Sequence, residues 1–484
     1  MASGTQPLTH FLRVAVAFAL LPIDTFILVV SYTLSHLTTL EQHPTDQRDT
    51  QVYSKTVLVT GIDTPQGLAV SRACHRQGHR VVGVDVDDRD TVYNPLLCVR
   101  SGGSLSCSVA AFYRIPRTLY VSSLLDIVHR EKADLWIPCS ERVTVLEDAV
   151  AKQVLESRTT CKAVHLDAEL TDRLANAESL AQFLVDKDLP VVERHRVQSR
   201  DSIHKILHRS PTKAYRIRKL APVLESSSST SSNRRDILLP KRTLSQTYSE
   251  VSEIQISKDA PWVLQQQTRL GEFWADTLLV RGHVEAIKVR PGRKTTEDMS
   301  WGASRLDESL ASAIYRVVEA FASKGGTRMT GHLSLQLMVD EEFEANSVRH
   351  SVHIAGCTQG AGAVTSLLRD PSCALAGGYL ALLQLKEKSS VRSEERAGPA
   401  RIISLTPRAA QQGLLARTRV TLSQRVPGAS GLFTLGDALA DETTLFLFWE
   451  HPLFLAGDPM PWWWDVHVSR PAQEVWNMCR RSVK

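Results

Sequence analysis

The hydrophobic positions along the chain change their spacing several times, and each change predicts a different element. Residues 14–34 (VAVAFALLPIDTFILVVSYTL) are almost wholly apolar and match the ~20 residues that a helix needs to cross a bilayer. Residues 41–53 are polar and aperiodic, as in a linker. Residues 55–61 and 79–87 are β-branched runs typical of buried strands, and residues 64–77 between them have helical spacing. This order predicts a βαβ unit that opens a parallel sheet.

The same alternation continues downstream. A helix is predicted at residues 124–131, a strand at residues 134–139 (DLWIPC) and another helix at residues 145–155. The first globular unit is therefore predicted to be α/β.

A second unit, of α+β type, is predicted to begin near Leu170. Strand patterns at residues 262–267, 273–281 and 283–289 indicate an antiparallel meander, and a helix follows at residues 310–321. The next strand, residues 331–339 (GHLSLQLMV), alternates apolar and polar positions as a half-buried strand does.

Composition divides the chain into four segments. They are an anchor and linker at residues 1–53, the α/β unit at 54–168, the α+β unit at 169–385, and a linker with a tryptophan-rich carboxy-terminal segment at 386–484. Residues 224–235 are rich in serine and are predicted to form a mobile loop, because they have too little apolar surface to pack. The consecutive Trp462, Trp463 and Trp464 predict a packed aromatic plug, with a docking surface or a membrane interface as alternatives.

Charge and cysteine content exclude some classes of protein. The net charge of +5 over 484 residues is mild, and the basic residues form no stripe alternating with aromatic ones, so no nucleic-acid groove is predicted. The eight cysteines include no CxxC pair and no zinc spacing, which indicates reduced thiols. Asp24 and Pro22 interrupt the centre of the apolar stretch, so a transmembrane span and an interfacial anchor both remain open. The main body is expected to be membrane-associated, on the cytosolic side.

The first strand ends in a glycine turn that invites a dinucleotide-binding interpretation. Gly61 and Gly67 flank the turn, and Asp85 ends the next predicted strand, where an acid would meet a ribose. The middle glycine of G-x-G-x-x-G is absent, and the only Tyr-x-x-x-Lys pair considered, Tyr215 and Lys219, lies on a predicted strand. A structural glycine turn is the favoured interpretation, and an NAD(P)-binding oxidoreductase is an alternative.

Five segments together resemble one subgroup of ATP-grasp proteins. The segments are KTVLVTGIDTPQGLAVSRACHRQGHRVVGVDVD, LLDIVHREKADLWIPCSERV, ELTDRL, PWVLQQQTRLGEFWADTLLVRGHVEA and TGHLSLQLMVDEE. In this order they resemble the carbamoyl-phosphate-synthetase-like ATP-grasp ligases of fungal small-molecule biosynthesis. The resemblance implies an α/β pre-ATP-grasp domain followed by an α+β ATP-grasp fold, with an N-terminal apolar membrane anchor. It also implies ATP and Mg²⁺ as cofactors, and ATP-dependent carboxylate–amine ligation through an acylphosphate.

The resemblance further implies which positions should hold Mg²⁺ and phosphate. The metal-ligand positions are occupied by Gln336, Ala355 and Cys357, none of which is a carboxylate. The phosphate-facing arginine is replaced by Gln359, and a phosphate-binding lysine by Ala177. Because phosphoryl transfer needs counter-charge around the transferred group, this pattern predicts a catalytically degenerate site.

Four residues remain as candidates for cofactor binding, namely Arg218, Lys219, Gln265 and Glu272. Arg218 stands where the resemblance places a lysine, and Gln266 stands where it places an acid. A protein of this kind is expected to bind a small-molecule ligand or to serve a partner biosynthetic enzyme.

The alternative within the same family is an active ligase with substitute residues. Glu272 and Arg218 would then act together with the acids Asp340, Glu341 and Glu342. Two further candidates are a histidine pair, His332 and His353, on neighbouring strands, and Cys357 as a nucleophile.

Overall fold

The computed structural model describes residues 6–41, 54–87, 101–210, 213–219, 237–256, 262–292, 308–344, 347–369, 375–383 and 451–482. The Ser-rich segment 224–235 and the predicted linker that begins at residue 386 lie outside the described residues. The thirteen strands described are β1 Thr56–Thr60, β2 Arg80–Asp87, β3 Ala111–Pro116, β4 Leu135–Pro138, β5 Lys162–Ala163, β6 Arg194–Val197, β7 Ala214–Lys219, β8 Ile237–Leu239, β9 Trp262–Gln267, β10 Gly271–Val280, β11 His283–Pro291, β12 Gly331–Glu344 and β13 Ser347–Gln359. The helices described are α1 Gln6–Glu41, α2 Pro65–Arg76, α3 Tyr120–Glu131, α4 Val145–Arg158, α5 Ala168–Ala175, α6 Ala177–Asp186, α7 Arg200–Arg209, α8 Leu244–Glu253, α9 Glu308–Gly325, α10 Thr365–Leu368, α11 Leu375–Ala381, α12 Met460–Trp464 and α13 Arg470–Ser482.

The first five strands form a parallel sheet in the order β3-β2-β1-β4-β5. Strands β1 and β2 are rich in β-branched residues, and together with β4 they are buried on both faces, as strands of parallel sheets usually are. One face packs against α3 and α4. The other face packs against α2 and, through α10 and α11, against β10 and β11. The predicted α/β unit is confirmed in its β1-α2-β2 opening and in β4.

The later strands form two four-stranded antiparallel sheets. One sheet has the strand order β11-β10-β12-β13, and we call it the long sheet. One of its faces packs against α9. The other sheet has the strand order β6-β9-β7-β8, and we call it the short sheet. One of its faces packs against α7 and α8. The predicted meander of three strands is therefore wrong in one respect, because β9 pairs with β6 and β7 while β10 and β11 form a separate hairpin.

A tight turn at Arg281 and Gly282 explains the β10–β11 hairpin. Both residues have positive φ, 51° and 80°, which matches the twist of a two-residue hairpin turn. A side chain at position 282 would also lie 2.7 Å from the carbonyl oxygen of Gly326. Glycine is therefore required here for two independent reasons.

The N-terminal helix packs against the carboxy-terminal segment. One long helix, α1, continues through Pro22, and Asp24 in its centre is buried against His467. Trp462 is fully buried and packs with Leu68 of α2. The prediction of a packed aromatic plug is confirmed for Trp462.

Candidate functional site

The long sheet presents a row of polar side chains on the face opposite α9. Strand alternation places Glu272, Trp274 and Asp276 of β10 on this face, because the intervening Phe273 and Ala275 belong to the core beneath α9. We call it the polar face. Across the ladder the same face includes Lys288 and Arg290 of β11 and Ser334 and Gln336 of β12.

Glu272 and Gln336 are joined directly on the polar face. The Nε2 amide of Gln336 donates to Oε1 of Glu272 at 2.7 Å. Mg²⁺ requires oxygen ligands in a near-octahedral arrangement, and here the carboxylate faces an amide N–H donor. The pair therefore does not fit a magnesium site. Among the described residues, no group of three or more His, Cys, Asp or Glu side chains is arranged to hold a metal ion.

Asp276 is the second acid of the polar face, and its oxygens are also occupied. Its carboxylate accepts from Nε of Arg290 at 2.9 Å and from the hydroxyls of Ser334 and Ser366. Lys288 is buried beside it and donates to the carbonyl of Ser366. Sequence reasoning missed Asp276, although a single acid inside the apolar strand pattern of FWADTLLV is a readable signal of a buried polar network.

The positions predicted on β13 need a correction of one residue. The β12–β13 ladder pairs Gln336 with Gly356 and shifts register before Leu337 pairs with Ile354, so Ala355 is the extra residue of a bulge. Cys357 pairs with Leu335 and packs against the core beneath α9. The β13 residues on the polar face are therefore Gly356 and Thr358, and neither is a carboxylate. Burial raises the pKa of the Cys357 thiol to about 12, which argues against a nucleophile.

The predicted cofactor residues lie on the short sheet, apart from Glu272. In the ladder Arg194 of β6 and Arg216 of β7 flank Gln265 of β9 in one row, on the face opposite α7 and α8. Arg218 and Lys219 lie further along β7, and their side chains lie outside the described residues. The row adds two arginines that sequence reasoning did not select.

The remaining predicted residues are dispersed. Gln266 pairs with Tyr215, whose neighbours form the core on the α7 and α8 side. Ala177 is the first residue of α6. The carboxylate of Asp340 accepts from the backbone N–H groups of Arg269 and Glu341, four residues along β12 from Gln336. In this structure Asp340 therefore caps a turn and does not reach the Glu272–Gln336 pair.

The two candidate histidines share a face of the long sheet but do not meet. His332 begins β12, whereas His353 pairs with Met338, six positions further along. At ~3.3 Å per residue this separation is roughly 20 Å. His332 is instead hydrogen-bonded to the hydroxyl of Tyr379 at 2.8 Å.

A cavity of about 370 Å³ lies between the parallel sheet, the start of β12 and the end of β13. It opens at the carboxyl ends of β4 and β5, next to the point where the order of the parallel strands reverses between β1 and β4. Ligands of open α/β sheets bind at such a switch point. Its polar lining is Ser140, Glu141, Asp148, His165, His332 and Gln359.

The charge state of the cavity follows from burial. Burial lowers the pKa of His165 to about 4 and that of His332 to about 3, so both imidazoles are neutral at pH 7. Burial raises the pKa of Asp148 to about 7, and its carboxyl accepts from the hydroxyl of Tyr120 at 2.7 Å. Glu141 accepts from Nε2 of Gln66 at 2.6 Å. Among the described residues that line the cavity, the titratable side chains are acids and neutral imidazoles. The cation Lys152, which donates to the carbonyl of His165, is paired with Asp167.

Gln359, like His332, is a predicted site residue that reaches this cavity. Its Nε2 donates to the carbonyl of Thr171 at 2.9 Å, while its Oε1 is buried without a hydrogen-bond partner. A buried acceptor without a donor is costly, and a bound donor would satisfy it.

The glycine turn after β1 packs tightly against its own chain. The hydroxyl of Thr64 bonds to the carbonyl of Gly61 and accepts from the N–H of Gly67, which caps α2. A Cβ at Gly67 would lie 2.1 Å from the Gly61 oxygen, and one at Gly61 would lie 2.5 Å from the backbone of Ser140. Backbone packing explains both glycines without a dinucleotide.

Replacing Gly67 with alanine tests this explanation. We expect the free energy of unfolding to fall by about 1–3 kcal/mol, because the backbone must shift to admit the methyl group. Gly377→Ala on α11 is the matched control, since a Cβ there meets no atom within 4 Å. Thermal unfolding of both variants measures the difference. Binding of NADPH by the unmodified protein, lost in Gly67→Ala at unchanged stability, would instead support the oxidoreductase alternative.

Comparisons with known proteins give structural neighbours only. No protein-family model matches the chain, and no curated protein matches it. N5-carboxyaminoimidazole ribonucleotide synthetase in its ADP complex has a TM-score of 0.39 at 12% identity, over 63% of this chain and 70% of that one. The biotin carboxylase subunit of pyruvate carboxylase has the same score and identity, over 63% and 64%. Phosphoribosylglycinamide synthetase from Anaerococcus prevotii has a TM-score of 0.38 at 10% identity, over 63% and 68%.

These neighbours are ATP-grasp ligases. At such scores and identities, the similarities do not establish the family of the chain.

Proposed function

We propose that the chain is an ATP-grasp-type protein related to the carboxylate–amine ligases of fungal small-molecule biosynthesis, and that it no longer performs Mg²⁺-dependent phosphoryl transfer. In this proposal it binds a small polar molecule in the cavity at the carboxyl ends of β4 and β5. The observation that carries the first part is the hydrogen bond from Gln336 to Glu272. An amide there leaves the triphosphate charge without the ion that phosphoryl transfer needs.

The chemistry of the cavity supports an amine as the ligand. Glu141, Asp148 and the unpartnered oxygen of Gln359 are all acceptors, whereas the two neutral histidines add no positive charge. An amine would supply the donors that these groups need. A carboxylate or phosphate ligand would instead meet acids of like sign.

Replacing Gln336 with glutamate tests the loss of the magnesium site. The variant places a second carboxylate at the position of an amide that lies 2.7 Å from Glu272. We expect its thermal midpoint to rise on adding Mg²⁺, because a bound ion at a hundred times its Kd stabilises by about 2.7 kcal/mol. The unmodified protein and Gln77→Glu, at the exposed C-cap of α2, should not respond.

Calorimetry on the full-length protein in detergent decides between the proposal and an active ligase. We expect ATP titrations to be the same with and without Mg²⁺. Micromolar binding of ATP that depends on Mg²⁺, or release of phosphate from ATP in the presence of carboxylate and amine substrates, would contradict the proposal. Either result would favour the alternative that uses Glu272, Arg218 and the Asp340 region.

A further inference from the structure

The N-terminal helix α1 has two chemically different sides. The stretch Arg13–Thr33 has a mean hydropathy of 2.3 and is long and apolar enough to cross a membrane, yet only 17% of it is buried. Its exposed side carries large apolar residues, among them Phe18, Ile23, Phe26, Val29 and Tyr32. Large contiguous apolar patches are rare on soluble monomers and mark interaction surfaces.

The opposite side of α1 is held by residues 451–482, which we call the strap. A hydrogen bond of 2.9 Å joins the carboxyl of Asp24 to Nε2 of His467. The other ring nitrogen of His467, Nδ1, is hydrogen-bonded to the carbonyl of Ala17 at 3.0 Å. Arg13 pairs with Glu474 at 3.1 Å, and Ser31 donates to the carbonyl of Ala456. At 1.5 Å per residue, the contacts from Arg13 to Ser31 cover about 27 Å of helix.

The strap is in turn fixed to the parallel-sheet unit. Asp458 forms a buried ion pair with Arg72 of α2 at 2.8 Å, and Trp462 packs on Leu68 of the same helix. The carbonyl of Pro461 lies so close to Gly102 that a Cβ there would meet it at 2.7 Å. Thus α1 is attached to the body of the protein along its length and not only through the chain that follows it.

This attachment conflicts with a transmembrane orientation. If α1 crossed the hydrocarbon core, the strap packed beside it would enter the same layer. The strap carries Asp465, His467, Arg470 and Glu474, and charged groups are costly at the centre of a bilayer. In contrast, Asp24 is the only charged residue between positions 14 and 33, and it faces the strap.

We propose that α1 is a monotopic anchor, which lies in the plane of the membrane with its apolar side in the lipid and its Asp24 side on the strap. The occupant of the apolar side is a phospholipid bilayer and not a second protein. Protein interfaces combine an apolar centre with polar groups and hydrogen bonds. The exposed side of α1 offers apolar side chains over the whole stretch, as in-plane amphipathic anchors do.

The topology of full-length protein in sealed phosphatidylcholine vesicles tests this orientation. The protein carries one epitope tag at each end and is added from outside, followed by protease. We expect both tags to be cleaved on vesicle-bound protein, because both ends of α1 remain on the outer side. Protection of the N-terminal tag, with loss of the other, would overturn the proposal in favour of a span. Failure to bind vesicles would overturn it as well.

Two variants separate lipid binding from folding. Phe26→Glu places a charge on a residue that is 69% exposed, so we expect vesicle affinity to fall at least tenfold with an unchanged thermal midpoint in detergent. Leu146→Glu makes the same kind of change at an exposed position on α4 and should keep full affinity. Equal affinities of the two variants, or conversion of a dimer to a monomer by Phe26→Glu in the absence of lipid, would contradict a bilayer as the occupant.

Discussion

Replacing Asp458 with alanine is expected to destabilise the attachment of the strap by about 3–5 kcal/mol, the typical cost of removing one partner from a buried ion pair. Asp458 and Arg72 are 5% and 9% exposed, and their closest atoms are 2.8 Å apart. Without Asp458 the guanidinium of Arg72 stays buried, with only the carbonyl groups of the strap as acceptors. The hydroxyl of Ser106 and the N–H of Cys107 lose the same carboxylate.

Hydrogen exchange of residues 451–482, together with the thermal midpoint, measures this effect. We expect faster exchange throughout the strap in Asp458→Ala. Glu474→Ala is the matched control, because the Arg13–Glu474 pair is 41% and 18% exposed and such pairs contribute about 0.2–1 kcal/mol. A second comparison replaces both buried partners, as Arg72→Met with Asp458→Leu, which should recover much of the loss. Similar exchange in Asp458→Ala and Glu474→Ala would show that the ion pair does not hold the strap.

Local patterns were sufficient for elements whose burial is repetitive. The β-branched runs of β1 and β2 follow from burial on both faces of the parallel sheet, and the helical spacing of α2 follows from one face packing on that sheet. The alternation of β12 likewise follows from one face packing on α9. In these cases the period of the sequence reports the burial of the element directly.

Contacts that depend on distant partners could not be predicted in the same way. Asp24 was interpreted as a defect in an apolar helix, because its partner His467 lies 443 positions away. The resemblance placed the metal-ligand positions of β13 at Ala355 and Cys357, and not on the polar face, because a bulge opposite Gln336 and Leu337 leaves no mark in the local pattern. The polar face was found only in part, since the network of Asp276 joins three strands and α10.

Asp148, the buried acid of the cavity, makes the stability of the fold depend on pH. The pKa of Asp148 rises from its ordinary 3.8 to about 7 in the folded protein, chiefly because the carboxyl is buried. A raised pKa means that the folded state binds this proton more tightly than the unfolded chain does. The stability associated with the proton is fully present below pH 4 and is lost as the pH rises towards 7.

Asp148→Asn should remove this dependence. Because one pKa unit corresponds to about 1.4 kcal/mol, we expect the variant to gain up to about 4 kcal/mol over the unmodified protein at pH 8, and little at pH 4. The asparagine can still accept from the hydroxyl of Tyr120. Burial lowers the pKa of His165 and His332, so these two residues destabilise the fold as the pH falls. Both proteins contain them, and their effect therefore cancels in the difference.

Denaturant unfolding of both proteins between pH 4 and 8 measures that difference, and Asp126→Asn, at an exposed position on α3, serves as the control. A difference that does not change with pH would mean that Asp148 is already ionised in the fold, and the charge assigned to the cavity would then be wrong.

The same titration can report on the ligand. An amine bound beside Asp148 favours its ionised form, so it should stabilise the unmodified protein more at pH 8 than at pH 5. In Asp148→Asn the amine should stabilise the protein equally at pH 8 and pH 5.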